Sequence, residues 1–407
     1  MAWEVKKLGD IGKVYNGNSI NEAVKKVKYT NVNEGYPFIA TKDVSYENVI
    51  DYENGIKIPF EEREQFKIAP KNTVLICGEG GSAGKKIGFT NQDVCFGNKL
   101  FALAVNKSIE SRYVFYYYFS SSFQKQFSSS LAGLIGGVSM NKFKEIEIPI
   151  PPLPEQKRIV TILNKAFESI AKAKENIENN LKNVKEIFES YLQRVFKNKG
   201  EGWDERSIGE ICDLMTGGTP SRAKKEYFEG GKINWLVSGD VNLKEIFECE
   251  GRITELGMNN SSTKYLPINS IIIALNGQGK TRGTVAMLRT KATCNQSLVS
   301  IYPKDIKKIL PEYIYHNLNN RYTEIRKITS DSDNDRRGLN MPLIRNIKMT
   351  FPKSIIDQQK FIDKFNAFSS ETQKLEEIYE KKLVDLEELK KSILQKAFKG
   401  ELTEELV

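Results

Sequence analysis

The sequence predicts an α+β protein of two tandem units, each mostly β with a few helices and each closed by one long helix. Three observations predict it. Over residues 155–196, Leu163, Ile170, Ile177, Val184 and Tyr191 recur at every seventh position. Ile159, Ala166, Ala173 and Ile187 fill most of the complementary seam, which Asn180 interrupts. An apolar stripe repeating every 3.5 residues is a coiled-coil seam. The stripe then returns over residues 357–398, with Phe365, Tyr379, Leu386 and Ile393 in one seam and Phe361, Phe368, Leu375 and Leu389 in the other. Finally, the stretch before each helix repeats. Trp3, Leu8, Gly9 and Ile11 are echoed by Trp203, Ile208, Gly209 and Ile211.

The repeat sets the order of elements. Each opening Trp segment leads to a glycine-containing turn, at Gly17 and at Gly217-Gly218. A short β-like run follows, at residues 37–40 and 233–237, then a polar stretch ending in an acid, Asp43 or Asp240. Next comes the best-matched part, a β-branched run, a glycine-rich loop and another such run, over residues 69–89 and 266–286. Apolar runs flanked by glycine predict a hairpin with an exposed loop. Asn98-Lys99 and Asn295-Gln296 then open another strand. Aromatic helical segments follow at 113–119 and 313–318, then a polar loop at 133–139 or 331–338, a last strand and the long helix. The predicted boundaries are 1–154 for the first globular unit, 155–198 for its helix, 203–356 for the second unit and 357–400 for its helix. Residues 198–202 read as a linker.

Because each helix leaves its unit in the same sense, a pseudo-two-fold relation makes the pair antiparallel. Asn180 and Lys382 interrupt equivalent seam positions, and Leu181 and Leu383 follow them, so the seam is expected to change phase there.

A chain of 407 residues with 40% hydrophobic content holds two or three domains. It lacks a run of about 18 apolar residues, and the opening MAWEVKKLGDIG lacks a signal-peptide core. A cytoplasmic location is expected. Cys77, Cys95, Cys212, Cys249 and Cys294 are scattered without a CxxC, which argues against zinc and disulfides and for buried thiols. The single histidine, His316, reads as structural and excludes chemistry built on paired histidines. The net charge of +9 suits an anionic partner.

Two loops imitate phosphate sites and fail on context. Gly78, Gly80 and Ala83 fit GxGxxA after a strand, but a strand follows where a dinucleotide site needs a helix. Gly279-Lys280-Thr281 resembles a P-loop, yet Ala274 stands where its first glycine belongs. A different reading fits both. Each loop carries glycine with cations, Lys85 and Lys86 in one and Lys280 and Arg282 in the other, beside residues able to read base edges. The expected DNA contacts are Gly80, Ser82, Lys85, Lys86, Asn98, Lys99 and Ser139 in the first unit. In the second they are Thr219, Asn276, Gln278, Lys280, Arg282, Asn295, Gln296, Arg336 and Arg337. The aromatic run at 113–119 has helical spacing and reads as core in preference to a stacking platform. No catalytic carboxylate pair or methyltransferase acid-Pro-Pro-aromatic motif stands out, so no catalytic or metal-binding residue is assigned.

The Trp-x4-Leu/Ile-Gly-x-Ile openings, the glycine-rich middle loops and Asn98 and Asn295 form part of a recognisable pattern. With Pro151-Pro152-Leu153-Pro154-Glu155-Gln156-x-x-Ile159 and the helix end Leu192-Gln193-x-x-Phe196-Lys197, the chain resembles the DNA-specificity (S) subunits of type I restriction-modification systems. The second copy departs at its helix entry, Asp357-Gln358-x-x-Phe361, and keeps the helix end, Leu394-Gln395-x-x-Phe398-Lys399. The resemblance implies two target-recognition domains reading a split double-stranded DNA sequence, with the paired helices as spacer. It also implies two methyltransferase (M) subunits and restriction (R) subunits as partners, which would carry S-adenosylmethionine, ATP and Mg, leaving none on this chain. About 42 helical residues at about 1.5 Å each give about 63 Å, or about 18 base pairs, as an upper bound on half-site separation. The alternative is a tandem coiled-coil protein-interaction scaffold without DNA readout.

Overall fold

The computed structural model describes residues 3–30, 32–132, 136–197, 202–277, 280–329 and 338–402. The chain divides into two compact units, residues 1–178 with 379–407, and residues 179–378. Both long helices are therefore shared between units. Most of the expected linker, 198–201, lies outside the described residues.

In the first unit β1 (Glu4–Lys7), α1 (Leu8–Ile11), β2 (Gly12–Asn16), α2 (Glu22–Lys28) and β3 (Tyr36–Ile39) come first. Then follow β4 (Lys57–Ile58), β5 (Ile68–Ala69), β6 (Val74–Cys77), β7 (Ile87–Phe89), β8 (Val94–Phe96) and β9 (Leu100–Val105). Helices α3 (Ser111–Tyr117), α4 (Ser121–Ser129) and α5 (Met140–Lys144), strand β10 (Glu147–Ile150) and the long α6 (Leu153–Lys197) complete it. One sheet has the order β2-β9-β6-β7, a second β4-β3-β8-β5, and β1 pairs with β10.

Strand β6 shows why the sheets stack. Val74 and Ile76 enter one core with α1, α3 and α4, while Leu75 and Cys77 enter another with Ile39 and Phe96. A strand buried on both faces reads as a continuous apolar run, which is what VLIC is. The aromatic run is core, as expected. Tyr113, Tyr117 and Tyr118 are fully buried, and the Tyr113 and Tyr117 hydroxyls donate to the Pro149 and Glu147 carbonyls at 2.7 and 2.6 Å. Burying one such side chain stabilises by roughly 1.5–3 kcal/mol.

The second unit repeats this plan. It begins with β11 (Trp203–Ser207), α7 (Ile208–Ile211), β12 (Cys212–Thr216), β13 (Ile233–Leu236), β14 (Glu245–Ile246) and β15 (Arg252–Ile253). It continues with α8 (Glu255–Asn259), β16 (Ile271–Ala274), β17 (Val285–Leu288), β18 (Thr293–Cys294) and β19 (Leu298–Pro303). Helices α9 (Pro311–Asn320), α10 (Tyr322–Lys327) and α11 (Met341–Asn346), strand β20 (Lys348–Pro352) and α12 (Ile355–Lys399) follow. The sheets are β12-β19-β16-β17-β14, β15-β13-β18 and β11-β20. Ile271 and Ile273 of β16 face one core, Ile272 and Ala274 the other.

Within the first unit, Lys390 of α12 stands over the Phe167 ring of α6 at 5.2 Å, and Lys174 pairs with Glu387 at 3.7 Å. Later residues of one helix meet earlier residues of the other, so these segments run antiparallel. Leu394, Ala397 and Phe398 complete the core around Tyr113.

The seams hold in part. Leu163, Ile170, Ile177 and Val184 are buried or half-buried, as are Phe365, Tyr379, Leu386 and Ile393. Asn180 is exposed and Leu181 half-buried, so the α6 seam changes phase where expected, and Ile187 is accordingly 59% exposed. In α12 the change comes earlier than Lys382. Leu375 and Leu389, expected in the seam, are exposed, while Glu376, Leu383, Lys390 and Ala397 turn inward. A straight helix drifts about 20° per heptad from a 3.5-residue seam, so the next residue round takes over.

Among the described residues, no helix is long and apolar enough to cross a membrane. All five cysteines are free and buried.

Candidate nucleic-acid interface

In the first unit three loops are laced together at one end of β6. The β6–β7 turn folds on itself, with Gly84 N–H donating to the Cys77 carbonyl and Ala83 N–H to Gly80, both at 2.9 Å. Gly80 sits at φ +79° and Gly84 at φ +72°. At Gly84 a Cβ would also run into the Phe127 ring, so glycine is required twice over. Gly78 N–H donates to the Lys99 carbonyl, bringing in the turn before β9. Gly80 N–H donates to Gly136 at 2.7 Å and Val138 N–H to Gly78 at 2.9 Å, bringing in the late loop.

The second unit makes the same lacing. Leu275 N–H donates to the Ser297 carbonyl at 2.8 Å, and Leu339 N–H to the Leu275 carbonyl at 2.9 Å. The middle loop, the pre-strand turn and the end of the late loop therefore meet in both units, although they are far apart in sequence.

The expected contact residues of the first unit gather on this cluster. Lys85, Asn98 and Lys99 are exposed. Ser82 is half-buried, its Oγ 3.1 Å from the Tyr46 hydroxyl. Lys86 donates to the Thr41 carbonyl at 3.1 Å. Ser139 is exposed, and its hydroxyl accepts from Lys142 N–H as the cap of α5.

In the second unit Asn276, Lys280 and Gln296 are exposed. The Thr219 hydroxyl donates to Gln296 Oε1 at 2.5 Å, fixing that amide. Asn295 is half-buried and accepts from Ser297 N–H at 2.9 Å, which shapes its turn. The Lys280 carbonyl accepts from the Tyr322 hydroxyl at 2.7 Å. Arg282, expected as an exposed contact, is only 5% exposed. Its side chain is thus buried in this structure, unlike Lys280 two residues earlier, which is exposed. Gln278, Arg336 and Arg337 lie outside the described residues, as do 133–135 and 330–337 of the late loops.

Sequence reasoning missed three things. Tyr46 joins the first cluster from a loop that carries no glycine or cation signal. The glutamines of the two helix entries are structural anchors: Gln156 and Gln358 are buried and bond backbone on both sides. Asp43 and Asp240, noted only as polar punctuation, hold matching 3-10 turns. Each accepts from the backbone N–H three residues earlier, Ala40 at 2.8 Å and Val237 at 2.7 Å. Burial pushes both carboxyls above their usual range.

His316 is structural. It is 6% exposed with its ring 4.0 Å from Phe365, and burial pushes its pKa down to about 4. Among the described residues no cluster of His, Cys, Asp and Glu is placed to hold a metal ion.

Comparison with known proteins gives a consistent result. The family described as the type I restriction modification DNA specificity domain matches residues 2–183 and again 200–383. The Escherichia coli EcoR124I/EcoR124II type I restriction enzyme specificity subunit is 29% identical over 240 residues, which is 58% of this chain and 58% of that protein's length. The MjaIX specificity subunit of Methanocaldococcus jannaschii is 24% identical over 428 residues, 98% of this chain and 93% of its own. Two solved structures share the fold at 17% identity. One belongs to a study of complex assembly and conformational transition of the type I R-M system, with TM-score 0.78 over 98% of each chain. The other is the HsdS subunit of Thermoanaerobacter tengcongensis, with TM-score 0.66 over 98% of this chain and 97% of that one. With two copies of the domain spanning most of its length, on two units laced alike, the chain belongs to the type I restriction-modification DNA specificity family.

Proposed function

We propose that this chain is the sequence-specificity subunit of a type I restriction-modification enzyme, each of its two units reading one half of a split duplex target. The observation that carries the reading is the recurrence of one loop cluster in both units, with exposed ammonium and amide groups on its rim. Lysines Lys85, Lys99 and Lys280 supply phosphate contacts, which set affinity and register. Asn98, Asn276 and Gln296 supply paired donors and acceptors for base edges.

The chain itself performs no chemistry on this reading. Methyltransferase and restriction subunits are its partners, and S-adenosylmethionine, ATP and Mg belong to them. A coiled-coil scaffold without DNA readout gains nothing from the comparisons, whose named relatives are specificity subunits. It also leaves the duplicated polar rim unexplained.

The test is duplex affinity as a function of salt, measured on the chain with its methyltransferase partner. Lys85→Ala is expected to lower the slope of log K against log salt by about 1 for every sequence. Asn98→Ala is expected to relax one half-site alone in methylation sequencing. Affinity without salt dependence or sequence preference would favour the scaffold.

A further inference from the structure

The loop between the 3-10 turn Thr41–Asp43 and the rest of the first unit has no place in the cluster by sequence, yet it is built as a rigid platform beside it. Val44 and Ile50 bridge its ends. Ser45 N–H donates to the Val49 carbonyl, and Ser45 Oγ accepts from both Glu47 and Val49 N–H. Asn48 closes the turn at φ +68°. On this platform Tyr46 is 59% exposed. A large aromatic side chain left in solvent on a rigid loop has been given no core to join.

Its surroundings point to a ligand. The hydroxyl is 3.1 Å from Ser82 Oγ of the glycine-rich loop. The Lys86 ammonium stands 5.1 Å from the ring centroid while donating to the Thr41 carbonyl. One face of the ring is thus occupied by a cation, which leaves the edge and hydroxyl to act outward. A phenol held by a serine can donate to or accept from a base edge. In the same segment, Thr41 Oγ1 and Asn48 Oδ1 are buried without a partner.

The second unit repeats the position with different chemistry. The same number of residues separates Asp43 from Asp240, whose carboxylates hold matching turns, as separates Tyr46 from Leu243. Leu243 is also a large side chain left exposed, at 55%. It ends the 3-10 turn Ser238–Leu243, and the next residue, Lys244, is at φ +64°. Lys244 in turn accepts through its carbonyl from Met287 N–H of β17, the strand that leaves the middle loop.

We infer that this position is a half-site reader in both units: Tyr46 contacts a base edge through its hydroxyl, and Leu243 contacts the apolar edge of a base, for which the thymine methyl is the matching group. The two units then differ in sequence preference at one position matched by the repeat. The inference rests on the specificity-subunit reading above.

The experiment uses the chain assembled with its methyltransferase partner, carrying Tyr46→Phe, Tyr46→Ala or Leu243→Ala, with methylation sequencing and duplex affinity as readouts. Both tyrosine variants are expected to lose about tenfold preference at one base pair of one half-site. Tyr46→Phe keeps the ring and the fold, so it isolates the hydroxyl. Leu243→Ala is expected to relax one position of the other half-site. The salt slope is expected to stay as in the unsubstituted complex, whereas Lys85→Ala lowers it by about 1. Unchanged preference in all three variants overturns the inference, as does uniform weakening with a lowered slope, which would make Tyr46 a phosphate contact only. An unsubstituted complex that methylates without sequence preference would overturn the functional reading itself.

Discussion

The side-chain oxygen of Gln358 accepts a hydrogen bond from Leu310 N–H at 2.9 Å, joining the first turn of α12 to the start of α9. Its amide nitrogen donates to the Lys308 and Pro352 carbonyls at 2.9 and 2.7 Å. Gln156 does the same in the first unit, accepting from Glu110 N–H and donating to Pro151, both at 2.8 Å, and more weakly to Ser108 at 3.5 Å. One buried amide thus satisfies three backbone groups that the approach to a long helix would otherwise strand.

Replacing either glutamine leaves those groups buried and unpaired, at about 1–3 kcal/mol for each group stranded. Gln358→Ala and Gln156→Ala are each expected to destabilise their own unit by about 2–4 kcal/mol. Urea unfolding followed by hydrogen exchange would show which unit opens. Equal protection loss in both units would contradict the assignment.

Close backbone approach fixes Gly17 and Gly217. A Cβ at either would collide with the carbonyl of Phe96 or Cys294. Those same carbonyls accept from Asn18 and Gly218 N–H at 2.9 and 3.0 Å. Gly17→Ala and Gly217→Ala are expected to cost about 2–4 kcal/mol each, since backbone on both sides must move. Thermal melts supply the measure, and a change below 0.5 kcal/mol, roughly the level of a surface substitution, would refute the collision.

His316 makes stability depend on pH. Its folded pKa, about 4, lies below the ordinary 6.5 because burial disfavours the imidazolium. The unfolded chain therefore binds more protons between those values, so stability rises with pH across that window and falls as pH drops through it. The loss between pH 8 and pH 5 is expected to reach about 2 kcal/mol. His316→Phe should remove that part of the pH dependence, read as the difference between the two proteins' urea curves at each pH.

Helix length is expected to set the unread gap of the DNA target. Four residues inserted beside Asn180, with a matching insertion beside Lys382, add about one turn to each long helix. Methylation sequencing is expected to show a longer gap and unchanged half-sites. Altered half-sites at constant gap would reject the helices as the spacer.

The duplication, the two long helices and the hairpins around the middle loops follow from the sequence by itself, because periodicity and glycine punctuation are local. TVLIC and SIIIA announce strands covered on both faces, and the helical spacing of Tyr113, Tyr116 and Tyr117 announces a core helix. Tertiary structure alone decided which loops meet. The bonds from Gly78 to Lys99 and from Leu275 to Ser297 join segments whose nearness depends on sheet order, which no local pattern encodes. It also buried Arg282 while exposing Tyr46 and Leu243. A cation or an aromatic looks the same in sequence on either side of a loop, and only packing decides which side meets water. The α12 seam makes the same point: leucines at 375 and 389 fit the heptad, yet accumulated helical drift turns Glu376 and Lys390 inward in their place.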